Sequence, residues 1–141
     1  MCLFCEVVDR RVPAEIVYED ETSLAFLDHR PLFVGHTLLI PKEHHETLAD
    51  LPSPLVEPLF ATAQLMARCV QTAFEAQGTF VAMNNIVSQS VPHLHLHVVP
   101  RRKRDGLRGF FWPRTKYQSP EEMAETAARL RAALAKRDEA G

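Results

Sequence analysis

No stretch of this chain stays apolar long enough to cross a membrane or to serve as a secretory leader. Its first residues already mix in Cys2, Cys5, Glu6, Asp9, Arg10 and Arg11. A cytoplasmic protein with no membrane partner is therefore expected. Cysteine is scarce as well, with three in 141 residues. An odd number without an export signal argues against a disulfide framework and turns the Cys2/Cys5 pair toward metal or redox chemistry. Net charge is low, at -2, which argues against a general nucleic-acid coat, so nucleic acid is not an expected partner. A composition of 46% hydrophobic and 24% charged residues is that of one globular domain able to bury a core.

Residues 91–100 read Val-Pro-His-Leu-His-Leu-His-Val-Val-Pro. His93, His95 and His97 alternate with Leu94, Leu96 and Val98, the period of a strand whose successive side chains leave opposite faces. With 7 histidines in the chain, this pattern arises by chance about 10⁻⁴ times per starting point. A wet strand face gives no reason for it. Two chemical readings do: a metal site built on His-x-His, or a nucleophilic imidazole held by its neighbours. Cys2 and Cys5, three apart, can face one tetrahedral zinc that needs two more ligands. Against that stands a Cys5 that is only a small buried hydrophobe.

The run His93-Leu-His95-Leu-His97-Val-Val resembles the signature of the histidine triad (HIT) superfamily of nucleotide-binding hydrolases and transferases. So do Cys2-Leu-Phe-Cys5, Ala25-Phe-Leu-Asp28-His29-Arg-Pro31, Gly35-His36 through His44, and Gln89-Ser90-Val91, in that order. The resemblance covers residues 1 to about 104. It implies a zinc ion on Cys2, Cys5, His44 and His93, with His45 the neighbour that competes with His44. It implies Asp28 on the ribose hydroxyls with Phe26 and His29 beside the base, and Asn85 as a phosphate-side amide. Gln89, Ser90 and His97 are then expected on the phosphoryl oxygens, and His95 as the nucleophile that attacks the α-phosphorus. The link from Ile86 to Pro92 is shorter than the glycine-containing loop of many HIT proteins, which leaves Asn84 as a rival to Asn85. The residues alone also allow Asp28 to be a turn residue ahead of Pro31. His36 is read as structural.

Along the chain, 15–19 and 22–28 read as a hairpin turned at Asp20-Glu21, and His36 to Ile40 as a third strand closed by Pro41. Ser53-Pro54 opens a helix with Leu55, Leu59, Met66, Val70 and Phe74 on one stripe and Cys69 as a buried thiol, ending near Gln77-Gly78. Thr79 to Asn85 forms a fourth strand. Lys42 onward is expected to turn helically, separating His44 from His45. Between Arg101 and Lys116 there are seven basic residues against Asp105 alone, interleaved with Phe110, Phe111 and Trp112, which suits a polyphosphate tail or a solvated segment. Ser119-Pro-Glu-Glu122 caps a last helix with Met123, Ala127, Leu130 and Leu134 on one stripe.

The expected fold is α+β, a HIT-like antiparallel sheet of about five strands with a long packing helix and a C-terminal helix. Residues 1–118 form the HIT domain, and 119–141 a helix packed on that domain or on a partner subunit. By resemblance the protein is a homodimer paired through the 79–85 edge, and a hydrolase of nucleotidyl substrates, dinucleoside polyphosphates first. The alternatives are a nucleotidyltransferase or phosphorylase, an adenosine phosphoramidase, and a zinc-stabilised nucleotide-binding protein without catalysis.

Overall fold

A computed structural model of the chain describes residues 2–107 and 114–140, with side chains as far as Lys136. Two compact units, Met1–Asp105 and Gly106–Gly141, divide it. The first holds helix α1 (Leu3–Val8), strands β1 (Ile16–Glu19), β2 (Ser23–Leu27) and β3 (Thr37–Pro41), helix α2 (Ser53–Ala73), and strands β4 (Gly78–Ala82) and β5 (Leu96–Arg101). Every strand pair is antiparallel and the sheet order is β1-β2-β3-β5-β4, so the architecture is α+β as expected. Phe110, Phe111 and Trp112 of the basic aromatic stretch lie outside the described residues.

The hairpin forms where the sequence placed it. Asp20 Oδ1 accepts the amides of Thr22 and Ser23 at 2.9 and 2.8 Å, the short-side-chain turn that aspartate favours. β2 and β3 are buried on both faces because each face meets its own layer. Ala25, Leu39, Leu96 and Val98 pack with Leu59, Ala63, Met66 and Val70 of α2, while Leu24, Phe26, Leu38 and Ile40 pack with Phe4 and Val7 of α1. β5 therefore turns Leu96 and Val98 to α2, and alternation sends His97 to the α1 side.

Several boundaries differ from the sequence reading. β5 begins at Leu96, and His93 and His95 precede it. The main chain there is drawn aside, with Leu94 N donating to His45 O at 2.7 Å instead of to a ladder partner. β4 stops at Ala82 rather than Asn85. α2 starts one residue early, on a Pro52 cap, and ends at Ala73. Residues 42–46 are irregular, not helical. Cys69 is exposed, because it falls off the stripe made by Met66 and Val70.

In the second unit, α3 (Pro120–Ala140) is capped as read, with Glu122 N donating to Ser119 Oγ at 3.1 Å. Met123, Leu130 and Leu134 are more than half exposed along it.

Gly35 ties the loop before β3 to the end of α2. Its φ is +100°, and a Cβ there would stand 2.4 Å from Phe74 Cε2. Gly35→Ala is expected to cost at least about 1 kcal/mol through backbone strain alone. The check is a lower urea midpoint at unchanged slope, with only partial recovery when Phe74→Leu is added.

Candidate functional site

Backbone groups fix the proton on each triad imidazole. His95 donates from Nδ1 to the carbonyl oxygen of His93 at 2.8 Å, which leaves the lone pair on Nε2. His93 donates from Nε2 to Pro41 O at 2.8 Å, which leaves its lone pair on Nδ1. The third case runs through His36. Leu32 N donates to His36 Nδ1 at 3.0 Å, so a neutral His36 carries its proton on Nε2 and gives it to His97 Nδ1 at 2.9 Å. His97 is left with an N–H on Nε2. Burial holds both rings neutral: it pushes His97 down to about 4 and lowers His36, against the opposing pull of Asp28. Adjacent rings thus differ in kind, His95 offering a lone pair and His97 a donor, with centroids 5.1 Å apart.

Around them, Phe4 meets Phe26 edge-on at 5.4 Å and His95 at 5.1 Å. His95 is 2% exposed. Asp28 does two things at once. Its Oδ1 accepts the Arg30 amide at 2.9 Å, the turn role, while Oδ2 lies 3.6 Å from His36 Nε2. His29 is exposed.

Cys2, Cys5, His44 and His93 bring one ligand atom each into a single cluster. His93 Nδ1 lies 3.5 Å from Cys2 Sγ, 3.6 Å from Cys5 Sγ and 3.2 Å from His44 Nδ1. His44 Nδ1 is 3.4 Å from Cys5 Sγ. The edges of a tetrahedron around zinc are about 3.5 Å for S···N and about 3.3 Å for N···N at ordinary bond lengths, so the donor set fits that ion. Burial and the adjoining Cys2 push the Cys5 thiol up to about 11, a shift that a bound dication would reverse. His45 turns aside, its Nε2 3.2 Å from Glu43 Oε1.

The amides expected at the phosphate are engaged in the loop that follows β4. Asn85 Oδ1 accepts Leu48 N at 2.7 Å. Gln89 accepts Ile86 N at 2.9 Å and donates to Glu46 O at 2.6 Å. Ile86 and Ser88 sit at φ 68° and 63°, so the short link needs these braces. Asn84 and Ser90 are exposed. The basic stretch is also partly committed: Arg101 pairs with Asp105, and Arg102 donates to Phe74 O and Glu75 O at the end of α2. A cavity of about 270 Å³ at the end of α2 is lined by Phe33, Val34, Phe74, Pro100, Arg102 and Asp105, none of them a triad histidine. His36, read from the sequence as structural, is the residue that sets the His97 tautomer. Its signal was a polar residue at the mouth of a strand that is otherwise buried.

Below its ordinary value of 6.5, an unfolded histidine takes up a proton that folded His97 refuses until about 4. Stability should therefore fall as pH drops through that window, by up to about 3 kcal/mol for this group. Urea unfolding at pH 7 and pH 5 checks it, and His97→Asn should make the decline shallower.

A family model described as the HIT domain matches residues 9–104. An uncharacterised HIT-like protein of Mycobacterium tuberculosis is 38% identical, over 99% of this chain and 96% of its own length. The adenosine 5'-monophosphoramidase HNT1 of Saccharomyces cerevisiae is 34% identical, over 79% of this chain and 70% of its own length. The crystal structure of a Zn-bound histidine triad family protein from Mycobacterium smegmatis is 40% identical, covers 99% of this chain and 97% of its own, and superposes with a TM-score of 0.71. The match over all five strands of the sheet, together with three imidazoles in alternation along the chain, places it in the HIT family.

Proposed function

We propose that the protein is a nucleotidyl hydrolase acting at an α-phosphate through a nucleotidyl-histidine. The observation that carries this is the pairing of opposite tautomers: His95 held with a free lone pair beside His97 held with a free N–H. A neutral imidazole is a nucleophile near pH 7, and a fixed donor next to it stabilises charge that grows on phosphoryl oxygens. His95 Nε2 attacks phosphorus in line, the leaving group departs with its bonding pair, and the phosphoramidate that forms is released by water. His97 Nε2–H bonds to a phosphoryl oxygen or to the leaving atom. Asp28 Oδ2 accepts from the ribose hydroxyls, and Phe26 with His29 flanks the base. Ser90 reaches the phosphoryl oxygens, as would Gln89 and Asn85 on release from their loop bonds.

Cys2, Cys5, His44 and His93 would hold a structural zinc, whose contribution is to crosslink α1, the segment after β3 and the triad. Its charge takes no part in the attack. The protein works in the cytoplasm as a homodimer, paired through β4, which stands at an edge of the sheet.

The basic stretch from Arg101 to Lys116 suits dinucleoside polyphosphates. With Arg101 and Arg102 committed to Asp105 and the end of α2, small leaving groups gain ground, and the yeast phosphoramidase relative points the same way.

Turnover of α-phosphate-labelled phosphoramidates, acyl-adenylates and dinucleoside polyphosphates should release nucleoside monophosphate and leave base-stable label on His95 after a quench. His95→Asn should lower kcat by at least about 10³-fold. A nucleoside diphosphate formed only with added phosphate would identify a phosphorylase instead. Elemental analysis should find one zinc per chain, and less than about half would count against the four-ligand site.

A further inference from the structure

His93 belongs to two clusters at once. Its Nδ1 faces Cys2, Cys5 and His44, while its carbonyl oxygen receives the Nδ1 proton of His95. Phe4 makes a second bridge. It stands between the two cysteines in α1, and its ring meets Phe26 at 5.4 Å and 73°, His93 at 6.0 Å and 70°, and His95 at 5.1 Å and 86°. All three are edge contacts, which depend on ring angle as well as distance. Phe4 is also 5% exposed, so the wall it makes is closed.

The helix that carries Phe4 cannot hold itself. α1 is six residues long, and its N-cap, Cys2, makes no side-chain cap bond. A helix of that length has no stability of its own in water. Its placement comes from what it docks on: Phe4 and Val7 in the core, and two thiols that converge with His44 and His93. Removing the thiols' shared partner would leave α1 held by three apolar side chains, Phe4, Val7 and the partly buried Val8.

We propose that metal and nucleotide binding are linked, with Phe4 as the positioning residue. A zinc ion on Cys2, Cys5, His44 and His93 pins α1, α1 presses Phe4 against Phe26 and His95, and the wall so formed favours a bound nucleotide. Each ligand therefore strengthens the other by one and the same factor, as linkage requires. The inference rests on the reading of Phe26 and His95 as the nucleotide site.

The test uses the full chain. Zinc affinity is measured by competition with a chromophoric chelator, without nucleotide and at saturating AMP, and AMP affinity by calorimetry on zinc-loaded and stripped protein. The two factors should agree and reach at least about fivefold, the lower end of ordinary coupling. Phe4→Leu keeps an apolar side chain but loses the ring edges. It should still bind one zinc while its factor falls toward one, and Phe4→Ala should do the same more fully. Circular dichroism on each variant confirms that it is folded. Equal zinc affinities with and without AMP in the native chain overturn the linkage, as does an unchanged factor in Phe4→Leu. Zinc-loaded protein that binds no AMP overturns the nucleotide reading itself, and a chain that takes up no zinc overturns the metal reading.

Discussion

The site depends on hydrogen bonds between imidazoles and main-chain groups. A neutral histidine has one donor and one acceptor nitrogen, and which is which decides whether it can attack, donate or ligate. Here the choice is made by Pro41 O for His93, by His93 O for His95 and by the Leu32 amide, relayed through His36, for His97. Three rings that alternate along one segment thereby acquire three different chemistries. Burial completes the arrangement by keeping His97 uncharged at neutral pH, without which the relay would not define a direction.

The rest of the fold can be understood as holding those main-chain groups still. Pro41 ends β3, which is buried along its whole length between the two layers. Leu32 lies in the loop between β2 and β3, and that loop is closed by Asp28 N donating to His36 O and by Gly35 seated on Phe74. His93 lies ahead of β5, and its carbonyl oxygen is taken by a side chain, the Nδ1–H of His95. The irregular segment is what allows His93 to serve His95 through its backbone while its ring faces the cysteines.

Much of this was legible in the sequence because period two is a strong signal. The alternation at 93–97 gave the facing of the rings and the apolar residues between them, and Cys2, Cys5 and His44 do converge on His93. The α+β sheet and the cap at Ser119 followed from local chemistry that the structure repeats. What was not legible depended on three-dimensional partners. Asn85 and Gln89 looked available until the strained turn at Ile86 and Ser88 was seen to need them. Cys69 looked buried because helical spacing gives a stripe but not its width. His36 looked structural because its importance comes from a backbone amide four residues earlier, and no side-chain pattern records an amide.

The groups that dictate tautomers at positions 32 and 41 belong to the peptide backbone, which every amino acid supplies, so most codon changes there leave the dictation untouched. Only proline at position 32 deletes its N–H outright. Natural drift at Leu32 and Pro41 would then reflect packing alone, and the proton pattern of the three rings could persist through lineages in which the flanking side chains have turned over completely.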